Sequence, residues 1–118
     1  MHDRPTAIEL VESVREYLER DVMSGEGRVA FHARVASKVL AMVERELALG
    51  PAQYAEEHAR LRGLLGGDGD VRDLTVELAR RIRAGEMNDD AHQVFAIVRA
   101  SVRSKLAVSN PEYITSNR

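Results

Sequence analysis

The chain has 118 residues, a net charge of −2 and no cysteine. That is long enough for one domain around one apolar core, and it leaves neither a disulfide framework nor a thiolate metal site open. Hydrophobic residues at 44% and charged residues at 31% describe a globular rather than a disordered protein, while the negative balance argues against nonspecific nucleic-acid binding.

No apolar run reaches membrane-spanning length. The opening MHDRPTAIEL lacks the basic and apolar regions of a signal peptide, so the expected compartment is the cytoplasm. Three Tyr, two Phe and no Trp leave a core to be built from Val, Leu, Ile and Ala.

In chain order, Thr6 followed by Glu9 reads as a capping box that opens a first helix running to about Val22. Leu10, Val11, Val14 and Leu18 are spaced for one face, and Ile8 and Tyr17 widen that apolar sector to about half the circumference. MSGEG ends it. A second helix is expected from about Arg28 to Leu49, stopped by Gly50–Pro51. A third follows from Pro51 to Leu65, with Tyr54, His58, Leu61 and Leu65 on one side.

GGDGD closes that helix, and Asp70 is placed to cap a fourth carrying Val71, Leu74, Leu78 and Ile82 as far as Gly85. Asn88 to Asp90 are placed to cap a fifth, with Val94, Ile97, Val98, Val102 and Leu106 inward, and Asn110–Pro111 stops it before a short tail. No segment alternates as a strand does. The expected fold is all-α: one domain over residues 1–118, a compact bundle of about five amphipathic helices, mostly antiparallel, with short loops.

Few residues offer chemistry. His32 projects into the sector of Val35, Ala36, Val39 and Val43, so it is expected either as a buried polar anchor or as the head of a pocket. As an anchor it would fasten the helix start to the N-terminal HDRP segment, through Asp3, or to the SNPEY tail. A metal shared with His58 is disfavoured: two helices folding back at Gly50 would leave the two histidines roughly 15 Å apart along their axes at about 1.5 Å per residue.

Arg34, Lys38 and Arg45 form a basic stripe on helix 2, read as a solvated face or as a docking strip for an acidic partner. ARRIR, residues 79 to 83, complements a helix C-terminus. The glycine-rich GLLGGDGDVRD lacks the Lys-Ser/Thr ending of a phosphate loop and the ligand spacing of a calcium loop. No catalytic residue, metal site or cofactor is expected.

Three stretches, HDRPTAIELVESVREYL, FHARVASKVLAMVERELALGP and KLAVSNPEYI, together resemble a family of short bacterial domains of unknown function. The matching residues are His2, Asp3, Arg4, Pro5 and Thr6, then His32, Ala33, Arg34 and Val35, then Asn110, Pro111 and Tyr113. Members of that family occur beside, or joined to, kinase-like proteins of the aminoglycoside-phosphotransferase type and acyl-CoA dehydrogenases.

The resemblance implies an accessory domain for such an enzyme, and it brings no catalytic residue. His32, Arg34, Asp3, Arg4, Asn110 and Tyr113 are the candidate anchor or interaction residues. The expected partner is another protein or a second copy of the chain, with the wide apolar sector of the first helix as one route to a homodimer. A small-molecule pocket near His32 is the alternative.

Overall fold

The computed structural model describes residues 4–116. It is all-α, with five α-helices and, among the described residues, no strand. These are α1 (Ala7–Tyr17), α2 (Arg28–Leu65), α3 (Val71–Arg83), α4 (Ala91–Ser109) and α5 (Pro111–Ser116). A π-helical turn (Leu18–Val22) extends α1, and a 3-10 turn (Asn88–Asp90) precedes α4.

The set of five differs from the expected one. The segments expected on either side of Gly50–Pro51 form one helix of 38 residues with Pro51 inside it. Gly50 is not among the glycines with positive φ, so it supplies no left-handed cap; its backbone continues the helix. Gly66 and Gly85, by contrast, do adopt left-handed backbone just beyond α2 and α3, the conformation that ends helices at low cost for glycine. The expected tail after Asn110 is itself helical as α5.

Two compact units divide the chain, the first ending at Gly50 and the second starting at Pro51. In the first, Thr6 and Glu9 form the expected capping box, with Glu9 N–H donating to the Thr6 hydroxyl at 3.2 Å and Thr6 N–H to the Glu9 carboxylate at 3.1 Å. α1 and its π-helical extension run antiparallel to the first part of α2, because Arg15 reaches Glu44 while Glu19, in the π-helical turn, reaches Ser37. The buried residues of this unit are small: Ala30, Ala33 and Ser37. Ile8, Val11, Leu18, Val22 and Leu40 are half-buried.

The second unit holds a conventional core. Leu61 and Leu65 of α2, Leu74 and Leu78 of α3, and Met87 are buried together, with Leu64, Val71, Val94 and Ile97 packed against them. Asp70 caps α3 as expected, accepting from Asp73 N–H at 2.8 Å. Asp90 makes no side-chain cap bond to α4, so the NDD segment opens α4 through its 3-10 turn instead. Gln53 donates to the Ser104 carbonyl at 3.1 Å and Ser101 to Glu57 at 3.2 Å, which sets α4 antiparallel to this part of α2. Val98 and Val102, expected inward, are exposed; α4 turns Val94, Ile97, Ser101 and Ser104 inward in their place.

Candidate functional site

Close approach of α1 and α2 in the first unit rests on side chains that take little room. Ala30, Ala33 and Ser37 lie on one side of α2, at the i, i+3, i+7 spacing of a helix face. Polar bonds lock that contact. Arg15 binds Glu44, through Nη2 to Oε1 at 3.2 Å and through Nε, and it also binds Glu19 at 3.0 Å. The Ser37 hydroxyl donates to Glu19 at 2.9 Å. Hydrogen bonds from Ser37 and then Arg15 hold the Glu19 carboxyl below its ordinary pKa, and Glu44, followed by Glu19, raises that of the Arg15 guanidinium.

Turning the small residues inward turns the large ones out. Phe31, Val35, Val39, Val43 and Leu47 keep between 38 and 54% of their surface exposed. They form a single i, i+4 row, the ridge that helices use when they pack against each other. The sequence pattern locates this apolar sector correctly; the expectation that it faces a core within the chain is not met. The bonds to the first helical segment run from the alanine–serine side instead, through Glu44 and Ser37.

His32 follows the same orientation. It is exposed, so the expected burial is corrected. Its ring stands edge-on to Phe31 at 5.5 Å between centroids, and no hydrogen bond to it is found among the described residues. Arg34 is exposed, with its guanidinium 6.0 Å from the Phe31 ring centroid, a cation–π distance. Lys38 is exposed and Arg45 half-buried.

Asp3, like His2, lies outside the described residues. Arg4 pairs with Glu9 at 2.7 Å, an exposed bond that is the largest influence holding the Glu9 carboxyl low. Asn110 belongs to the second unit, at the end of α4. Its side chain and its carbonyl both face the Tyr113 N–H, at 3.3 and 3.1 Å, so it opens α5. Tyr113 is exposed on that helix. The candidate residues thus fall into separate local roles: Arg4 at the capping box, His32 and Arg34 beside the ridge, Asn110 and Tyr113 at the α4–α5 turn.

His58, in the second unit, donates from Nε2 to the Gly69 carbonyl at 2.7 Å and stacks on Tyr54, 6.4 Å between centroids and 10° between planes. It ties α2 to the loop before α3. Among the described residues no group of three His, Cys, Asp or Glu side chains is placed to hold a metal ion.

Two clefts of the second unit offer concave surface. One, of about 380 Å³, is lined by Leu64, Arg80, Arg81, Glu86, Met87 and Asp90; its arginines are committed to Glu77 and Glu86. The other, of about 290 Å³, is apolar, between Ile82, Met87, Val94, Phe95 and Val98. Neither has His32 in its lining.

Residues 23–113 match the family DUF6285, a domain of unknown function, and the chain belongs to that family. No curated protein and no solved structure matches it. The matched stretch contains the whole of α2, α3 and α4 and leaves α1 outside it.

Proposed function

We propose that this DUF6285 member is a non-catalytic protein-interaction domain whose working surface is the outward ridge of α2. One observation carries the reading: the first unit buries two alanines and a serine while Phe31, Val35, Val39, Val43 and Leu47 remain about half exposed in one unbroken row. Apolar surface gathered in this way, rimmed by Arg34, Lys38 and Glu46, is the signature of a protein contact. The family match, which takes in the ridge but not α1, supports the ridge over α1 as the surface the family shares.

The same reading takes the chain as one domain, since the matched stretch crosses the division at Gly50. It takes it as a cytoplasmic bacterial protein serving a phosphotransferase-like or acyl-CoA-handling enzyme, on the resemblance of its HDRPT, FHARV and SNPEY segments. No helix among the described residues is long and apolar enough to cross a membrane, consistent with a partner met outside the bilayer. A small-molecule role at His32 has less support, because an exposed ring, absent from the lining of both described clefts, gives a ligand little to bury against.

The test compares the wild-type protein with Val39→Glu, tagged and recovered from native lysate, with folding checked by circular dichroism. Val39 is half exposed, so a glutamate there leaves the fold intact while charging the centre of the ridge. Loss of a bound protein, or of self-association, in the variant alone is the expected outcome. Identical capture and identical mass for both proteins would sink the reading.

A further inference from the structure

We propose that the occupant of the α2 ridge is the same ridge of a second copy of the chain, packed antiparallel about a two-fold axis through Val39. This rests on the ridge being the interaction surface and specifies its partner.

The first argument is symmetry. A two-fold contact needs a self-complementary patch, in which a residue n places before the axis meets the residue n places after it in the other copy. The ridge has that form. Around Val39, Val35 is opposite Val43 and Phe31 is opposite Leu47, with all five exposed by similar fractions. Laying one i, i+4 row alongside another is the commonest way that helices pack.

Charge supplies the second argument and selects the direction. The same axis sets His32 of one copy against Glu46 of the other, both exposed and both on the sector of the ridge. A parallel pair in register would instead oppose Glu46 to Glu46 and align the two helix dipoles. The antiparallel pair opposes the dipoles and brings unlike side chains together twice, once on each side of Val39.

Area sets the strength. Side chains of this size carry about 150–200 Å² each, and roughly half of five of them amounts to about 400 Å² per copy. Two copies then bury about 800 Å² from the ridges alone. With His32, Met42 and the stems of Lys38 and Glu46 added, the contact approaches the roughly 1,000 Å² of a small specific interface. The pairing is therefore a reversible one, formed at micromolar rather than nanomolar concentration. α1 also exposes Leu10, Val14 and Tyr17, but that row is shorter and has no matching charge about its centre.

A chain without cysteine allows a direct test by single-cysteine variants of the full-length protein under mild oxidation. Val39→Cys lies on the axis and is expected to give a disulfide-linked dimer in high yield. Phe31→Cys and Leu47→Cys are each expected to link poorly alone but efficiently when mixed, since each faces the other residue. Val76→Cys, exposed on α3, serves as the collision control and is expected to stay monomeric.

Linking of Val39→Cys no faster than of Val76→Cys would overturn the self-pairing. So would efficient linking of Phe31→Cys with itself, which signals a parallel pair. If the wild type stays monomeric yet captures a different protein that Val39→Glu loses, the second copy is the wrong occupant while the interaction reading stands. If neither a second copy nor another protein depends on Val39, both fall.

Discussion

At the scale of single residues, His32 carries the sharpest consequence. Exposed beside Phe31, it makes no hydrogen bond among the described residues, so its substitution is expected to read the contact more than the stability of the chain. His32→Glu would oppose two carboxylates at each of two symmetry-related places. Exposed like-charge pairs cost on the order of 0.5 kcal/mol each, so dimerisation should weaken about five-fold, with circular dichroism unchanged. Adding Glu46→Lys should restore it; a dissociation constant indifferent to both changes would count against the antiparallel register.

Glu77 gives a prediction of another kind. Hydrogen bonds from Arg80 and then Arg81 lower its pKa from 4.5 to about 2. A carboxyl lowered on folding stabilises the folded state fully above its unfolded pKa, and that contribution fades as pH falls through the folded value. Thermal melting should therefore fall more steeply in the wild type than in Glu77→Gln as pH drops from about 4.5 to about 2. Added salt should shrink the difference, since the carboxylate is only half-buried. Parallel melting curves for the two proteins over that window would show that the Arg80 and Arg81 bonds do not persist in solution.

At the scale of elements, α2 is where sequence and structure part most instructively. Gly-Pro is a sound stop signal on local grounds, because proline lacks the N–H that a helix interior needs and its ring crowds the carbonyl four places earlier. Yet α2 runs through it. On both sides the helix is already fixed by contacts beyond the local sequence: Glu44 is held by Arg15 six residues before Gly50, and Gln53 and Glu57 are bonded to α4 just after Pro51.

Nucleation has been supplied twice, and one missing bond is tolerated between. Pro51→Ala should then stabilise the protein, by about 1–3 kcal/mol on the helix-interior scale, as read from urea unfolding. A loss of stability on that change would mean the proline has a positive role in the fold.

Several other boundaries are legible because each rests on a local device, whereas the Asp90 cap and the non-helical tail after Asn110 are not found. The Thr6–Glu9 box, the Asp70 cap and the left-handed Gly66 and Gly85 need no knowledge of tertiary contacts. The α4 face was misjudged in part because Val98 and Val102 share helical spacing with Val94. Ser101, through its hydroxyl, and Ser104, through its backbone carbonyl, are the residues bonded to α2. A hydroxyl that pairs with a carboxylate, or a small residue whose carbonyl accepts from a neighbouring amide, can face a neighbour as well as valines can, and a hydropathy pattern cannot see that.

At the scale of the whole molecule, the same limit explains the candidate site. Periodicity placed His32, Val35, Val39 and Val43 together on one sector, and the structure agrees. What a lone sequence could not show is which side of α2 meets α1, since an alanine–serine face and a valine face are both good helix surfaces. Arg15 and Glu19 decide it by reaching Glu44 and Ser37, and the valine face stays exposed. Among the described residues the first unit thus lacks the large buried side chains that the second has in Leu61, Leu65, Leu74 and Leu78, and on the proposed pairing a second copy would supply apolar cover to the exposed ridge.

The most direct measurement of that claim is the mass of the wild-type chain and of Val39→Glu by light scattering, across a dilution series from about 100 μM to about 1 μM. The wild type should approach twice the 13.1 kDa chain mass at the upper end and fall towards it on dilution, as a contact of this area requires, while the variant stays at the chain mass throughout. A wild type that is monomeric at every concentration, or a variant that dimerises equally well, would contradict it.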